Sequence, residues 1–227
     1  GILGDVAGKR VLCLAASAGQ QSPAFALLGA QVTVFDLSPA QLERDREAAA
    51  HYGLEIETVQ GDMRDLSAFE DATFDVVWQA YSINFVPDVR PVLAEASRVL
   101  KPDGLYRIQW ANPFTQLIDE ESWTGEGYIL KHPYVDGASL IERNPHWNVW
   151  DVTNADGSTT QIASPREFVH ALSAVVNALV ANGLVILHLS EWADYDPDAE
   201  PGSWEYYKAV APLFLTIWAM KRPALFD

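Results

Sequence analysis

Five short apolar runs separated by helical patterns are the feature that most constrains the fold of this chain. Each run has four to six residues, and most are rich in β-branched or aromatic side chains, which is typical of buried strands. The runs are Val11–Leu14, Val32–Phe35, Ile56–Val59, Phe74–Trp78 and Leu105–Trp110. Strands that alternate with helices are joined by right-handed crossovers and lie parallel. The first half of the chain therefore predicts an α/β fold with a doubly wound, mostly parallel sheet.

Helix boundaries are marked by capping residues. Ser38–Gln41 predicts a helix start, with Ser at the N-cap and Pro at the first helical position, and Gly53 is a suitable C-terminal residue for that helix. Ser164–Glu167 repeats the start signal before a stripe of apolar residues at helical spacing, Phe168–Leu179. A third stripe, Val89–Leu100, is followed by a Pro-Asp-Gly stop. The sequence thus predicts three well-bounded helices.

The second half of the chain departs from this alternation. Val185–Leu189 and Leu213–Trp218 predict two late strands that pair as a terminal antiparallel hairpin. Residues 111–163 are too many for a simple connection, are rich in aromatic side chains, and contain a hairpin turn at Asn154–Gly157. We therefore expect one domain over residues 1–227, with residues 111–163 as an insertion that forms a lid over a ligand site.

Composition excludes several classes of protein. The formal net charge is -16, from 31 acidic and 15 basic residues, so phosphate backbones and anionic membranes are poor partners. The one cysteine, Cys13, excludes an intramolecular disulfide and a cysteine zinc cluster, and the five histidines show no close ligand pairs, so we expect no metal site. With no apolar run long enough for a bilayer and no signal-peptide pattern, the sequence favours a cytoplasmic protein.

The residues that follow each predicted strand carry the functional signal. In open α/β sheets, ligands bind beyond the carboxyl ends of the strands, where the strand order reverses. The loop Ala15–Gly19 is made of small residues that let a ligand approach the backbone, and Asp36 follows the second strand, where a carboxylate can accept hydrogen bonds from ribose hydroxyls. Asp62–Met63 and Gln79–Tyr81 follow the next two strands. Each motif alone is also compatible with a structural turn, a helix cap or a core aromatic residue.

Taken in order, and together with Leu100–Gly104, these motifs resemble the class I S-adenosylmethionine-dependent methyltransferases of the type 11 kind. The resemblance runs through about residues 9 to 110. It implies a Rossmann-like fold and S-adenosylmethionine as cofactor, with S-adenosylhomocysteine as product.

The resemblance also implies how the methionine end of the cofactor is bound. Ala15, Ser17 and Gly19 occupy the three glycine positions of the first loop, which wraps the methionine part. Gln79 and Tyr81 match the segment that lines the methionine end and the methyl group.

The adenosine end is implied to meet the next two strand tips. Asp36 matches the ribose-binding acid, with Leu37 beside the adenine. Asp62 matches the residue that meets the adenine amine, and Met63 lies against the ring.

Two departures from the family pattern concern the first loop. Two of its glycines are replaced by alanine and serine. Cys13 stands where the family usually has an acid that helps to hold the cofactor's ammonium group, and a neutral thiol cannot do this. The resemblance therefore implies another partner for the ammonium group, either backbone carbonyls near Gln79 or the side chains of Gln20 and Gln21.

The aromatic insertion is the best source of an acceptor pocket in the sequence. Its content suits a lid over a small, apolar or aromatic molecule, which would receive the methyl group by in-line displacement. We expect Tyr128, Tyr134 and Trp147 to contribute to the acceptor pocket. His132 and His146 are candidate bases, although surface or structural roles fit them too, and the aromatic residues could instead pack on one another.

Three alternatives remain open at this point. A degenerate relative could bind the cofactor without catalysis, and Asp36 would also suit a nicotinamide-dependent oxidoreductase. The loop around Ser17 approaches the G-x-S-x-G pattern of serine hydrolases.

The aromatic residues near Trp192 and Trp204 are a candidate interface for a homodimer.

Overall fold

A computed structural model describes residues 1–15, 19–141, 149–153, 156–194 and 196–222. The strands are β1 (Arg10–Leu14), β2 (Gln31–Asp36), β3 (Ile56–Gln60), β4 (Phe74–Ala80), β5 (Leu100–Ala111), β6 (Ile118–Asp119), β7 (Ile129–Leu130), β8 (Val149–Thr153), β9 (Thr159–Ala163), β10 (Leu184–Trp192) and β11 (Phe214–Lys221). The helices are α1 (Gln21–Leu27), α2 (Pro39–Tyr52), α3 (Arg90–Val99), α4 (Leu172–Ala181) and α5 (Trp204–Val210). Short 3₁₀ turns cover Ser82–Phe85 and Thr115–Leu117.

The central sheet has seven strands in the order β3-β2-β1-β4-β5-β11-β10. The first five strands of the chain pair in parallel, and β11 pairs antiparallel with both β5 and β10. The fold predicted from sequence, with its terminal antiparallel hairpin, is confirmed. The strand order reverses between β1 and β4, and this reversal fixes where a ligand crevice can form.

Apolar packing on the two faces of the sheet explains why the strands read as short, continuous apolar runs. One face buries Val92 and Leu93 of α3 with Val175 of α4. The other face buries Phe25 of α1 with Leu42 of α2. Parallel strands covered on both faces need apolar side chains at every position rather than at alternate ones.

The predicted start and end of α2 are confirmed. Ser38 is the N-cap, its Oγ accepts a hydrogen bond from the Gln41 backbone N–H at 3.4 Å, and Pro39 is the first helical residue. Gly53 ends the helix with φ 65°, a left-handed conformation that glycine adopts without strain. The third predicted helix, α3, ends at Val99, and the chain enters β5 directly.

The helix start predicted at Ser164 is wrong, because α4 begins only at Leu172. The backbone N–H of Phe168 donates to the carbonyl oxygen of Asn84 at 2.8 Å, and Leu140 N–H donates to the carbonyl of Glu167 at 2.9 Å. These tertiary partners occupy backbone groups that a first helical turn would use. The apolar stripe survives only in its second part, where the helix packs on the sheet.

The insertion contains two small antiparallel pairs, β6 with β7 and β8 with β9. The predicted hairpin around residues 154–157 is therefore present, although residues 154 and 155 lie outside the described part of the chain. Among the described residues, every helix is too short or too polar to cross a lipid bilayer.

Candidate active site

A cavity of about 800 Å³ opens at the carboxyl ends of the parallel strands, next to the strand-order reversal. Its wall combines strand tips, the start of α2, the first 3₁₀ turn and the segment that follows β9. Six residues assigned to the cofactor from sequence lie in that wall: Ala15, Asp36, Leu37, Asp62, Met63 and Tyr81. The volume lies in the range of roughly 300–1,000 Å³ that holds small-molecule ligands.

Asp36 is the last residue of β2 and lies almost entirely buried in the cavity wall. Burial raises the pKa of its carboxyl group, and hydrogen bonds from backbone N–H groups oppose that rise. One of these comes from Ser38 N–H to Oδ1 at 2.8 Å. A carboxylate has about four acceptor positions, so Asp36 can still accept from a ligand's hydroxyl groups.

Asp62 is held by its neighbour Arg64 in the turn after β3. The Nε of Arg64 donates to the two carboxylate oxygens at 3.0 and 3.1 Å, and the Arg64 backbone N–H donates to Oδ1 at 2.9 Å. The guanidinium hydrogen bond lowers the pKa of Asp62. Asp62 is therefore ionised at neutral pH and fixed in orientation.

Gly61 and Met63 explain why the turn after β3 has this sequence. A Cβ at Gly61 would lie 2.2 Å from the ring of Phe35, so only glycine fits there. Met63 packs against the core and also lines the cavity. The Nε2 of Gln79 lies 3.3 Å from the Met63 sulfur.

Gln79 is fully buried and lies outside the cavity wall. It accepts a hydrogen bond from the hydroxyl of Tyr106, and its Nε2 donates to Ser82 Oγ at 3.1 Å. Ser82 does line the cavity. The structure thus places Gln79 behind the site, where it supports Ser82 and Met63.

Tyr81 follows β4 and joins the cavity wall to a distant part of the chain. Its φ is 63°, which is rare for a bulky residue, and its hydroxyl donates to Glu167 Oε2 at 2.7 Å. Burial raises the pKa of the Tyr81 hydroxyl, and the neighbouring Glu167 carboxylate raises it further. Burial also raises the pKa of Glu167, and the hydrogen bond from Tyr81 opposes that rise. Phe85 and Phe214 pack edge-on against the Tyr81 ring.

The first loop is described only at its two ends. Ala15 has φ 45°, and its N–H donates to the Phe35 carbonyl at 2.7 Å. Gly19 has φ 68°, and a Cβ there would lie 2.9 Å from the Arg44 carbonyl oxygen. Gly19 and Gln20 lie outside the cavity wall. Ser17 lies outside the described residues.

The two described acceptor candidates lie outside the cavity wall and contact aromatic rings of the insertion together with residues of α4 and α5. Tyr128 contacts the rings of Trp123, Tyr206 and Tyr207. Tyr134 stacks on a neighbouring phenylalanine, with 5.0 Å between ring centroids, and its hydroxyl accepts from a backbone N–H of α4 at 3.0 Å. These contacts fit the alternative that the aromatic residues pack on other aromatic rings.

The candidate bases also lie away from this cavity or outside the described chain. His132 follows β7, and its backbone N–H donates to the Leu117 carbonyl at 3.2 Å. It does not line the cavity. His146 and Trp147 lie outside the described residues. Within the described ranges, no group of three or more His, Cys, Asp or Glu side chains could hold a metal ion.

Sequence reasoning left several polar residues of the cavity wall unassigned, and Gln41 and Glu167 are the two of these that matter most for a ligand. The sequence assigns Gln41 only to the cap of α2. The first helical turn after β2 borders the ligand crevice in folds of this kind, and this position could have indicated that Gln41 lies at the site. Glu167 gave no such signal, because it reaches the site through a tertiary contact with Tyr81, 86 positions away in the chain.

A doubly wound sheet in this order, with acidic residues after β2 and β3 beside the strand-order reversal, is the architecture that the predicted methyltransferase family implies. Residues 12–108 match the family model described as a methyltransferase domain. The fold is similar to that of a putative S-adenosylmethionine-dependent methyltransferase from Listeria monocytogenes, with a TM-score of 0.68 at 20% sequence identity. The superposition covers 98% of this chain and 95% of the Listeria protein. The predicted resemblance to S-adenosylmethionine-dependent methyltransferases is confirmed.

Curated relatives match part of the chain. An uncharacterised methyltransferase of Bacillus subtilis, YbaJ, is 44% identical over 137 residues, which is 60% of this chain and 54% of the relative. The demethylmenaquinone methyltransferase of Clavibacter sepedonicus is 41% identical over 99 residues, which is 44% of this chain and 40% of that protein. The chain therefore spans about half the length of the curated relatives it matches.

Proposed function

We propose that the chain transfers a methyl group from S-adenosylmethionine to a small, apolar or aromatic acceptor. The observation that carries the proposal is the cavity at the strand-order reversal, which brings Asp36 and Asp62 together with the apolar side chains of Leu37 and Met63. The family match over residues 12–108 supports the same activity.

The residues present fit the adenosine part of the cofactor. Asp36 offers carboxylate oxygens for ribose hydroxyls, and Met63 offers an apolar face for a purine. The Oε1 of Gln41 is buried in the same wall and has no hydrogen-bond partner within the described chain. A buried acceptor without a donor costs free energy, which a ligand hydroxyl or amine would recover.

The sulfonium group of the cofactor supplies an activated methyl group and a good leaving group. The task of the protein is then to orient the acceptor and to keep water out. Phe85 ends the 3₁₀ turn and Val86 follows it, and both line the cavity together with Ile162 and Ala163 of the insertion, so both segments contribute apolar surface. We propose that this end of β9 is the part of the lid that closes the acceptor site.

The acceptor class follows from charge and surface. A formal net charge of -16 disfavours polyanionic acceptors, and the apolar wall favours a neutral or aromatic molecule. The name of the demethylmenaquinone methyltransferase relative supports an aromatic acceptor of small-molecule type. The cytoplasmic location and the homodimer around Trp192 and Trp204 stay predictions.

The test is calorimetric binding of S-adenosylhomocysteine to the wild-type protein and to Asp36→Ala. We expect binding to the wild type and a loss of about 10- to 100-fold in affinity for the variant, because hydrogen bonds to a charged group are removed. Asp198→Ala, an exposed aspartate that does not line the cavity, is the matched control and should bind as the wild type does. A wild-type protein that does not bind the product would refute the proposed function.

The acceptor class has its own test. Radiolabelled methyl transfer from S-adenosylmethionine should be measured against small phenols and hydroquinones, with short oligonucleotides as a polyanionic comparison. We expect transfer to the first group only. Binding of cofactor without transfer to any compound would favour a non-catalytic relative.

A further inference from the structure

Three carboxylates line the described cavity wall, and they differ in what they contact. Asp62 is paired with the guanidinium group of Arg64. Asp36 accepts a backbone N–H. Glu167 accepts the hydroxyl of Tyr81, a neutral donor, and has no cation in hydrogen-bond contact. Glu167 is therefore an acidic group at the site whose charge no described cation balances by direct contact.

The sheet order places Glu167 away from the two acids at the adenosine end. Asp36 and Asp62 follow β2 and β3, whereas Tyr81, which holds Glu167, follows β4. The strand β1 lies between β2 and β4. Two strand spacings amount to about 10 Å, which separates the strand tip of Asp36 from that of Tyr81, and Glu167 is held on the Tyr81 side.

Glu167 is held firmly at this position. Its carbonyl oxygen accepts from Leu140 N–H at 2.9 Å, and the next residue, Phe168, donates its N–H to Asn84 at 2.8 Å. Tyr81 fixes the side chain through Oε2, which leaves lone pairs on the carboxylate for another donor. The group is thus oriented before any ligand binds, and burial raises its pKa, as expected for an anion that lacks a cation.

Cys13 cannot act as an anion in its place. Its side chain is fully buried in an apolar cluster on the sheet. Burial raises the pKa of the thiol far above neutrality, so it stays protonated.

We propose that Glu167, positioned by Tyr81, binds the ammonium group of the amino-acid part of the cofactor. This inference rests on the proposed function and adds to it a residue outside the part of the chain that the family model matches. An ammonium group that moves from water into a protein cavity is stabilised by an anionic partner, and S-adenosylmethionine carries its ammonium group at the end opposite its adenine. Glu167 is the carboxylate that the cavity offers beyond β1.

The experiment compares two ligands that differ in the amino-acid part. S-adenosylhomocysteine carries the ammonium group, whereas 5′-methylthioadenosine keeps the adenosine and the thioether but lacks it. Calorimetric affinities are measured for the wild type, for Glu167→Gln and for Glu191→Gln, an exposed control that makes the same change of charge on β10. Glutamine can still accept the Tyr81 hydrogen, and the backbone contacts of residue 167 do not involve the side chain.

We expect Glu167→Gln to bind S-adenosylhomocysteine about 10- to 100-fold more weakly and 5′-methylthioadenosine within about twofold of the wild type. The control should match the wild type with both ligands. An unchanged affinity for S-adenosylhomocysteine, or an equal loss with both ligands, overturns the role of Glu167 but leaves the proposed function standing. If the wild type binds neither ligand, the proposed function fails.

A second variant keeps the test decisive if Glu167→Gln does not fold. Glu167→Asp retains the charge and draws the carboxylate back by one methylene group. We expect a several-fold loss confined to S-adenosylhomocysteine, measured on protein whose circular dichroism matches the wild type. Equal affinities of this variant and the wild type for that ligand would count against the inference.

Discussion

The choice of residue is tightly constrained at position 61, in the turn after β3, because the ring of Phe35 leaves no room for a side chain there. The ring of Phe35 fills the space that a side chain at Gly61 would need, and that ring also packs on Phe69. The Gly61 N–H donates to the Asp36 carbonyl at 3.0 Å. The backbone of Gly61 therefore connects the turn that carries Asp62 to the end of β2.

Gly61→Ala should destabilise the protein by about 1–3 kcal/mol, because the new methyl group would force the Phe35 ring or the turn to move. Urea unfolding measures the change. Gly127→Ala is the matched control, since nothing lies within 4 Å of a Cβ there and its φ is not left-handed. Equal stabilities of the two variants would show that the contact with Phe35 imposes no constraint.

At the scale of elements, α2 does more than cover the sheet. Asp45 lies buried on this helix and accepts hydrogen bonds from Ser22 Oγ, at the start of α1, and from the Gly19 backbone N–H. The two helices are thereby joined through the described end of the first loop. We expect this contact to hold the loop in place for the cofactor.

Asp45→Ala should lower the free energy of unfolding by about 2–3 kcal/mol, because the N–H of Gly19 and the hydroxyl of Ser22 would lose a buried charged partner. It should also weaken S-adenosylhomocysteine binding. Asp45→Asn keeps an acceptor oxygen, so its losses in the free energy of unfolding and in S-adenosylhomocysteine affinity should be smaller. Unfolding and calorimetry on the two variants give the comparison, and an Ala variant as stable as the wild type contradicts the assigned contacts.

Elements were predictable from sequence where their signals are local. The five parallel strands and the cap of α2 follow from short apolar runs and from Ser38 with Pro39. The start signal at Ser164 failed because Asn84 and Leu140, distant in sequence, supply the competing hydrogen bonds. Glu167 escaped prediction for the same reason: local patterns carry no information on which loop a tertiary contact brings to the site.

Over the whole molecule, charge and burial act together on stability. Burial raises the pKa of Asp36, Asp45 and Glu167, and the formal net charge is -16. The folded state keeps these protons to a higher pH than the unfolded chain does. Its free energy of unfolding therefore falls as pH rises from the ordinary carboxyl pKa, about 4, through the raised values.

We expect the melting temperature to rise as pH is lowered from neutral towards the ordinary carboxyl pKa, about 4, and to fall at still lower pH. The fall follows because arginine partners lower the pKa of Asp62 and Glu95, and their stabilisation is lost on protonation. At neutral pH, added salt should raise the melting temperature by screening repulsion. Calorimetric scans across pH and salt test this, and a melting temperature that climbs steadily from pH 5 to 8 would contradict it.

The segment between β9 and α4 has a consequence for how this protein could diversify. It is fastened to the 3₁₀ turn and to residues near Leu140 by its own backbone, independently of the β8–β9 hairpin that precedes it. The hairpin can therefore be shortened, lengthened or exchanged while Glu167 keeps its place. Under the proposed function, grafting hairpins from other proteins at this point offers a route to new acceptors while the strand tips that carry Asp36 and Asp62 stay unchanged.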